Sequence, residues 1–86
     1  MKIRYTRSAV KIINCLDKDM KIRIKSGIEG LTGNPPKGDI KKIQGTSPSL
    51  YRLRIGKFRI VYEYTSINGE VELIIKDIGS RGDIYK

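Results

Sequence analysis

The stretch LYRLRIGKFRIVYEY, residues 50–64, decides the fold. Apolar and charged residues alternate on both sides of Gly56-Lys57, a pattern typical of two strands that each bury one face. Glycine at the first of two central positions is typical of a two-residue hairpin turn. The stretch therefore predicts a β-hairpin with strands over residues 50–55 and 58–64.

A tight turn also predicts which side chains face each other across the hairpin. Six residues form one apolar face, in three facing pairs: Ile55 with Phe58, Leu53 with Ile60, and Tyr51 with Tyr62. Burial of this face requires a second layer of structure. We expect the helices of the chain to pack there.

The other face of the hairpin is basic. The same register places Arg54 opposite Arg59 and Arg52 opposite Val61. Facing like charges destabilise a sheet by about 0.2–1 kcal/mol per pair, and the planar guanidinium group suits phosphate geometry. The pattern favours an anion site, although a solvated basic face is the alternative in so basic a chain.

A second turn, Asn68-Gly69, extends the sheet by one more strand over residues 71–78. Counting from this turn places Lys76 beside Val61 and Ile78 beside Arg59. Lys76 then joins the arginine cluster, and Glu63 lies at its margin.

The first half of the chain is helical apart from a short strand over residues 2–5. Thr6 is a candidate N-cap for a first helix, and Asp17 or Asp19 for a second. The apolar stripe of the first helix comprises Ala9, Val10, Ile12, Ile13 and Leu16; that of the second comprises Met20, Ile24, Ile28 and Leu31. Residues 37–43 form a further predicted strand, and residues 79–86 a polar tail. The fold class is α+β: an N-terminal strand, a helical hairpin, then a three- to four-stranded antiparallel sheet packed on the helices.

Composition limits the chemistry. The chain has 86 residues, enough for a single domain over residues 1–86, and a net charge of +9, which indicates a polyanionic or acidic partner. It lacks histidine, which excludes Ser–His and Cys–His nucleophile pairs, and its single cysteine, expected to be buried on the first helix, cannot form an internal disulfide. No apolar run predicts a membrane span or signal peptide, so we expect a cytoplasmic protein.

Three segments of the chain form a recognisable combination: NP…GDIKKI…G (residues 34–45), YRLRIGKFRIVYE (residues 51–63) and IGSRGDIY (residues 78–85). Together they resemble the RelE/ParE toxin superfamily, in its RelE-like branch. The resemblance covers essentially the whole chain. It implies the toxin of a type II toxin–antitoxin system, an endoribonuclease that cleaves messenger RNA in the ribosomal A site without a metal or other cofactor. The RNA 2′-hydroxyl would attack the adjacent phosphate, which restricts the substrate to RNA.

The resemblance also implies the site. Matched by motif, the catalytic residues are Arg52, Arg54, Arg59, Arg81 and Tyr85. The residues expected to bind RNA are Lys41, Lys42, Lys57 and Lys76. Arg54, Arg59 and Arg81 would hold the scissile phosphate, and Tyr85 would contact the substrate.

The proton transfers are less well matched to the family. Relatives often have lysines at the positions of Arg52 and Arg54, and some use a histidine where this chain has Ser80. An arginine does not act as a base at neutral pH. Asp39 and Glu63 are the substitute candidates for the base.

Partners follow from the same resemblance: a cognate acidic antitoxin, the ribosome and messenger RNA, with no membrane. One alternative function is a ParE-like toxin, which inhibits DNA gyrase without catalysis. Another is a catalytically weak RNA-binding homologue.

Overall fold

The structure, a computed structural model, describes residues 1–80. The elements in chain order are β1 (Lys2–Tyr5), α1 (Arg7–Asn14), α2 (Lys18–Gly30), β2 (Asp39–Ile43), β3 (Leu50–Ile55), β4 (Phe58–Ile67) and β5 (Glu70–Ser80). The predicted α+β class and element order are confirmed. The last strand runs two residues further than predicted, to Ser80.

Both helices begin at the capping residues that the sequence offers. The Thr6 hydroxyl accepts a hydrogen bond from the Ala9 amide at 3.2 Å, and the Asp17 carboxylate accepts one from the Met20 amide at 2.8 Å. Asp17 is therefore the cap of α2, and Asp19 lies in its first turn. Each cap satisfies a backbone donor that the helix leaves free.

The five strands form one mixed sheet in the order β1-β5-β4-β3-β2. β2 to β5 form an antiparallel meander, and β1 adds to its edge in parallel to β5. Asn68 and Gly69 both have positive φ (52° and 81°), as a tight hairpin turn requires. The predicted register of the β3–β4 hairpin is confirmed in all five pairs, from Ile55 with Phe58 to Tyr51 with Tyr62.

The β4–β5 ladder follows the register set by the Asn68-Gly69 turn from Ile67 to Tyr62. From Val61 to Phe58 it is shifted by one residue, and the predicted register is wrong there. The ladder shifts between Val61 and Tyr62, so that Val61 pairs with Asp77, and Gly79 takes the place expected for Ile78 beside Arg59. The physical reason is a β-bulge that inserts one extra residue into β5. Without it Ile78 would face solvent; with it Ile78 pairs with Ile60 and is 1% exposed.

The core lies between the two helices and one face of the sheet, here called the inner face. Its buried side chains come from both layers: Ala9, Ile13, Ile24, Ile28, Leu31, Leu53, Ile60, Tyr62, Leu73, Ile75 and Ile78. Val10 and Cys15, which the sequence assigns to the buried side of α1, are exposed instead. This eight-residue helix buries Ala9 and Ile13, which lie one turn apart, and Val10 projects about 100° away from Ala9.

Candidate functional site

The sheet face turned away from the helices, here called the outer face, gathers basic side chains from three neighbouring strands. Arg54 of β3 lies opposite Arg59 of β4, and Arg52 lies opposite Lys41 of β2. Strand alternation places all four on one face. The structure thus brings together three of the predicted catalytic arginines and one of the predicted RNA-binding lysines.

An aspartate lies among these cations. Asp39 pairs with Arg54 across the β2–β3 ladder, and its Oδ2 accepts a hydrogen bond from Arg54 Nε at 2.9 Å. Its Oδ1 lies 3.8 Å from Arg52 Nη1. The carboxylate therefore offsets the repulsion between Arg54 and Arg59, and it joins two guanidinium groups through one anion.

Arg52 is much more enclosed than its strand neighbour Arg54, whose side chain is 54% exposed. The Arg52 side chain is 14% exposed, and it lies opposite Val61, which is 5% exposed despite lying on the outer face. Arg52 Nη1 is buried and has no hydrogen-bond partner within residues 1–80. A buried donor without an acceptor costs about 1–3 kcal/mol.

A cavity of about 360 Å³ opens on the outer face, with Arg52 in its lining. Its lining consists of Lys41, Lys42, Ile43, Gln44, Arg52 and Arg59. Four of these six side chains are cations, and guanidinium groups can bind the two oxygens of a phosphate with paired hydrogen bonds. The cavity is therefore suited to a phosphate group of a larger ligand.

The other predicted RNA-binding lysines lie at the edge of this cluster or away from it. Lys76 lies in the bulged part of β5, and its Nζ is 3.6 Å from Glu63 Oε1 on the outer face. Lys42 pairs with Tyr51, which belongs to the inner face, yet it borders the cavity at the sheet edge. Lys57 lies in the hairpin turn with Nζ 5.6 Å from the centre of the Phe58 ring.

Lys57 also borders a depression that includes Cys15 and Asp17 at the junction of the two helices. It therefore lies away from the arginine cluster. Arg81 and Tyr85 lie outside the described residues.

Sequence reasoning missed how β2 completes the site. Asp39 was predicted as a candidate base, but no sequence pattern predicted that it would pair with Arg54. Likewise, no pattern predicted that Lys41 would pair with Arg52. The signal was present only in part: Asp39, Lys41 and Ile43 alternate and so share one face. A six-residue connection between β2 and β3, unlike a two-residue turn, does not fix the register.

Comparisons with known proteins agree with this architecture. The profile of the family described as "ParE toxin of type II toxin-antitoxin system, parDE" matches residues 3–85. The protein named toxin RelE1 of Methanocaldococcus jannaschii is 40% identical over 67 residues, which cover 74% of this chain and 71% of that protein.

Solved structures are similar over nearly the whole chain. The archaeal RelE–RelB complex of Pyrococcus horikoshii OT3 aligns with a TM-score of 0.73 and 26% identity over 95% of this chain and 96% of that one. The RelB–RelE antitoxin–toxin complex of Methanococcus jannaschii aligns with a TM-score of 0.69 and 28% identity over 95% and 94%. The intact RelBE complex of E. coli, at 20% identity and a TM-score of 0.57 over 92% and 94%, shares the fold. The chain belongs to the ParE toxin family of type II toxin–antitoxin systems, in the RelE-like branch of the RelE/ParE superfamily.

Proposed function

We propose that this toxin is an endoribonuclease that cleaves messenger RNA in the ribosomal A site, in the cytoplasm, without a metal. The observation that carries the proposal is the basic cavity of the outer face, which is lined by Lys41, Arg52 and Arg59 among others. The RelE-like relatives support the same assignment.

The reaction class follows from the residues available. The 2′-hydroxyl of one nucleotide attacks the adjacent phosphorus, the bond from phosphorus to the 5′-oxygen breaks, and a cyclic phosphate and a free 5′-hydroxyl result. In this mechanism the protein supplies orientation, charge stabilisation and two proton transfers. Cations in a partly enclosed cavity stabilise the growing negative charge more strongly than they would in water.

We assign roles to these residues from their positions around the cavity. Arg52 and Arg59 line the cavity and would bind the scissile phosphate, with Lys41 beside them. Arg54 is hydrogen-bonded to Asp39 and would hold that carboxylate in place. Asp39, next to the phosphate-binding arginines, would accept the proton of the 2′-hydroxyl.

Arg81 and Tyr85 complete the proposed site on the family motif alone. Arg81 would add a third contact to the phosphate, and Tyr85 would protonate the leaving 5′-oxygen. Lys42, Lys57 and Lys76 would contact the RNA or ribosome as point charges along the path of the strand.

An antitoxin is the expected partner, because both archaeal relatives were solved with one. An acidic segment that covers the outer face would neutralise the arginine cluster and block the cavity. We also propose that residues 1–86 form one toxin domain.

The test uses purified ribosomes, a reporter messenger RNA and primer extension. Wild-type protein should produce new 5′ ends inside translated codons, and Arg52→Ala or Arg59→Ala should reduce them by about 100-fold or more. Arg7→Ala removes the same charge from an exposed position on α1 and should retain cleavage. Intact messenger RNA with the wild-type protein would refute the proposal.

A second candidate function is inhibition of DNA gyrase, which the match to the ParE family favours. A gyrase supercoiling assay with the same variants separates the two. Inhibition of supercoiling together with intact messenger RNA would establish the gyrase function. Cleavage of messenger RNA without any effect on supercoiling would exclude it.

A further inference from the structure

Val61 is a buried apolar residue that lies outside the core. Every other buried apolar residue in residues 1–80 belongs to the cluster between the helices and the inner face. Val61 instead lies on the outer face, opposite Arg52, and is 5% exposed. Because the helices pack on the inner face, side chains of the outer face itself must cover Val61.

The neighbours of Val61 on the outer face are charged. Arg52 of β3 and Asp77 of β5 pair with it directly. Along β4, the next residues on the same face are Arg59 and Glu63. Residues that pair in an antiparallel sheet have Cβ atoms about 5 Å apart, and a long cationic side chain can cover apolar surface with its methylene stem. The stem of Arg52 is therefore well placed to cover Val61.

The exposure of the two β3 arginines supports this packing. The Arg52 side chain, opposite Val61, is 14% exposed, whereas that of Arg54, opposite Arg59, is 54% exposed. Asp39 does not explain the difference, because its carboxylate oxygens lie 2.9 Å from Arg54 Nε but 3.8 Å from Arg52 Nη1. The two positions also differ in the residue that faces them on β4, and only Arg52 faces an apolar one.

The apolar character of position 61 leaves the Arg52 guanidinium group without a competing partner on β4. A carboxylate at this position would pair with Arg52 across the strands and neutralise it. On the other side of Val61, Asp77 Oδ1 accepts a hydrogen bond from the next backbone amide at 2.9 Å, so this oxygen is directed at its own strand. Arg52 and Arg59 line the basic cavity, whereas Val61 lies outside its lining. Val61 is thus placed to act on a ligand only through its neighbours.

We infer that Val61 is a positioning residue: its side chain supports the methylene stem of Arg52 and so directs the guanidinium group into the basic cavity. The inference rests on the proposed function, in which Arg52 binds the scissile phosphate. A misplacement of about 1 Å can cost a factor of about 100 in rate. Loss of this support should therefore affect the turnover rate more than RNA binding.

Val61→Ala tests the inference through the kinetics of cleavage. The shorter side chain no longer supports the Arg52 stem, so kcat on ribosomes should fall about tenfold, with KM almost unchanged. Val61→Thr keeps the branched shape and should cleave at close to the wild-type rate, although its buried hydroxyl lowers the melting temperature. An equal loss of rate in both variants, or no loss in Val61→Ala, would overturn the inference.

Ile60→Val separates positioning from stability. Ile60 precedes Val61 on β4 and is fully buried on the inner face. The variant removes part of a core side chain, so it should lower the melting temperature by a few degrees and leave kcat unchanged. If Ile60→Val slows cleavage as much as Val61→Ala does, the effect of Val61 is on folding alone and the inference fails.

A double-mutant cycle shows whether Val61 acts through Arg52. In the Arg52→Ala background the supported side chain is absent, so the addition of Val61→Ala should slow cleavage no further. A further loss of about tenfold, equal to that of the single variant, would overturn the inference, because Val61 would then act independently of Arg52.

The Arg52 side chain can also be observed without RNA. The ¹⁵N–¹H signal of its Nε group, assigned by its loss in Arg52→Lys, reports motion of the stem through the heteronuclear NOE. Val61→Ala should lower the NOE of Arg52 and leave that of Arg54 unchanged; an unchanged NOE for Arg52 would overturn the inference. This measurement does not depend on cleavage. Intact messenger RNA with the wild-type protein, together with a more mobile Arg52 in Val61→Ala, would refute only the proposed function.

Discussion

The two faces of the same sheet differ sharply. On the inner face Leu53, Ile60 and Leu73 are at most 1% exposed and pack on the helices. On the outer face many alternate residues of the same strands are charged, and they form two groups of opposite charges: Arg52 and Arg54 near Asp39, and Lys76 near Glu63. One face holds the fold together, and the other carries the candidate chemistry.

This division follows from the two-residue period of a strand. Each position along β3 or β4 alternates between packing and surface chemistry, so neighbouring residues should respond very differently to substitution. A change on the inner face should affect the free energy of unfolding, whereas a change on the outer face should affect RNA binding or cleavage. Each of the following predictions tests this separation.

Ile60→Ala should produce the largest loss of stability. Ile60 is completely buried and pairs with Leu53 on one side and Ile78 on the other. Truncation of such a side chain costs about 2–5 kcal/mol, a large part of the total stability of a small domain. Urea unfolding followed by circular dichroism measures the loss. Arg59→Ala, next to it on the outer face, should cost less than about 1 kcal/mol; comparable losses in both variants would remove the distinction between the faces.

Asp39→Asn should separate binding from catalysis on the outer face. The amide keeps the shape of the carboxylate but cannot accept the proton, so cleavage should fall by about 100-fold or more. Removal of one negative charge beside Arg52 and Arg54 should maintain or increase RNA affinity. The slope of log affinity against log salt should become steeper by about 0.7.

Two measurements test this prediction. The first is cleavage of a messenger RNA at one codon on the ribosome, and the second is RNA titration at several salt concentrations. Asp19→Asn, an exposed change of the same charge in the first turn of α2, should alter neither. Normal cleavage by Asp39→Asn would refute the role of Asp39 as the base and leave Glu63 as the other candidate that the sequence offers.

The inner face could be predicted from sequence because its pattern is local. Gly56-Lys57 fixes the β3–β4 register, and alternation then assigns every residue of that hairpin to a face. Helical spacing likewise identified Ile24, Ile28 and Leu31 as core residues. These assignments require no knowledge of distant contacts.

The outer face could be predicted only where the same hairpin reaches it. Arg52, Arg54 and Arg59 were placed by their turn, but Lys41 and Asp39 depend on β2, whose long connection leaves the register open. Lys76 was misplaced because the bulge arises from the need to bury Ile78, a tertiary requirement that turn counting cannot include. Sites assembled from several strands therefore need the structure.

The smallest predicted effect concerns the tyrosines of the inner face at high pH. Tyr51 and Tyr62 stack with ring centres 5.6 Å apart, and Tyr64 contacts Tyr62 edge-on at 5.7 Å. Burial, and then the neighbouring tyrosines, raise the pKa of Tyr62 and of Tyr64 above the usual value of 10.0. A raised folded-state pKa gives stability that is complete below the unfolded-state value of about 10 and is lost as the pH rises through the folded-state value. The melting temperature should therefore fall as the pH rises from about 10 to about 12, and Tyr62→Phe should reduce that fall, because phenylalanine has no proton to lose. If both proteins lose the same number of degrees, the alkaline sensitivity arises from the lysines of the surface, which lose their charge in the same range, rather than from the buried face of the sheet.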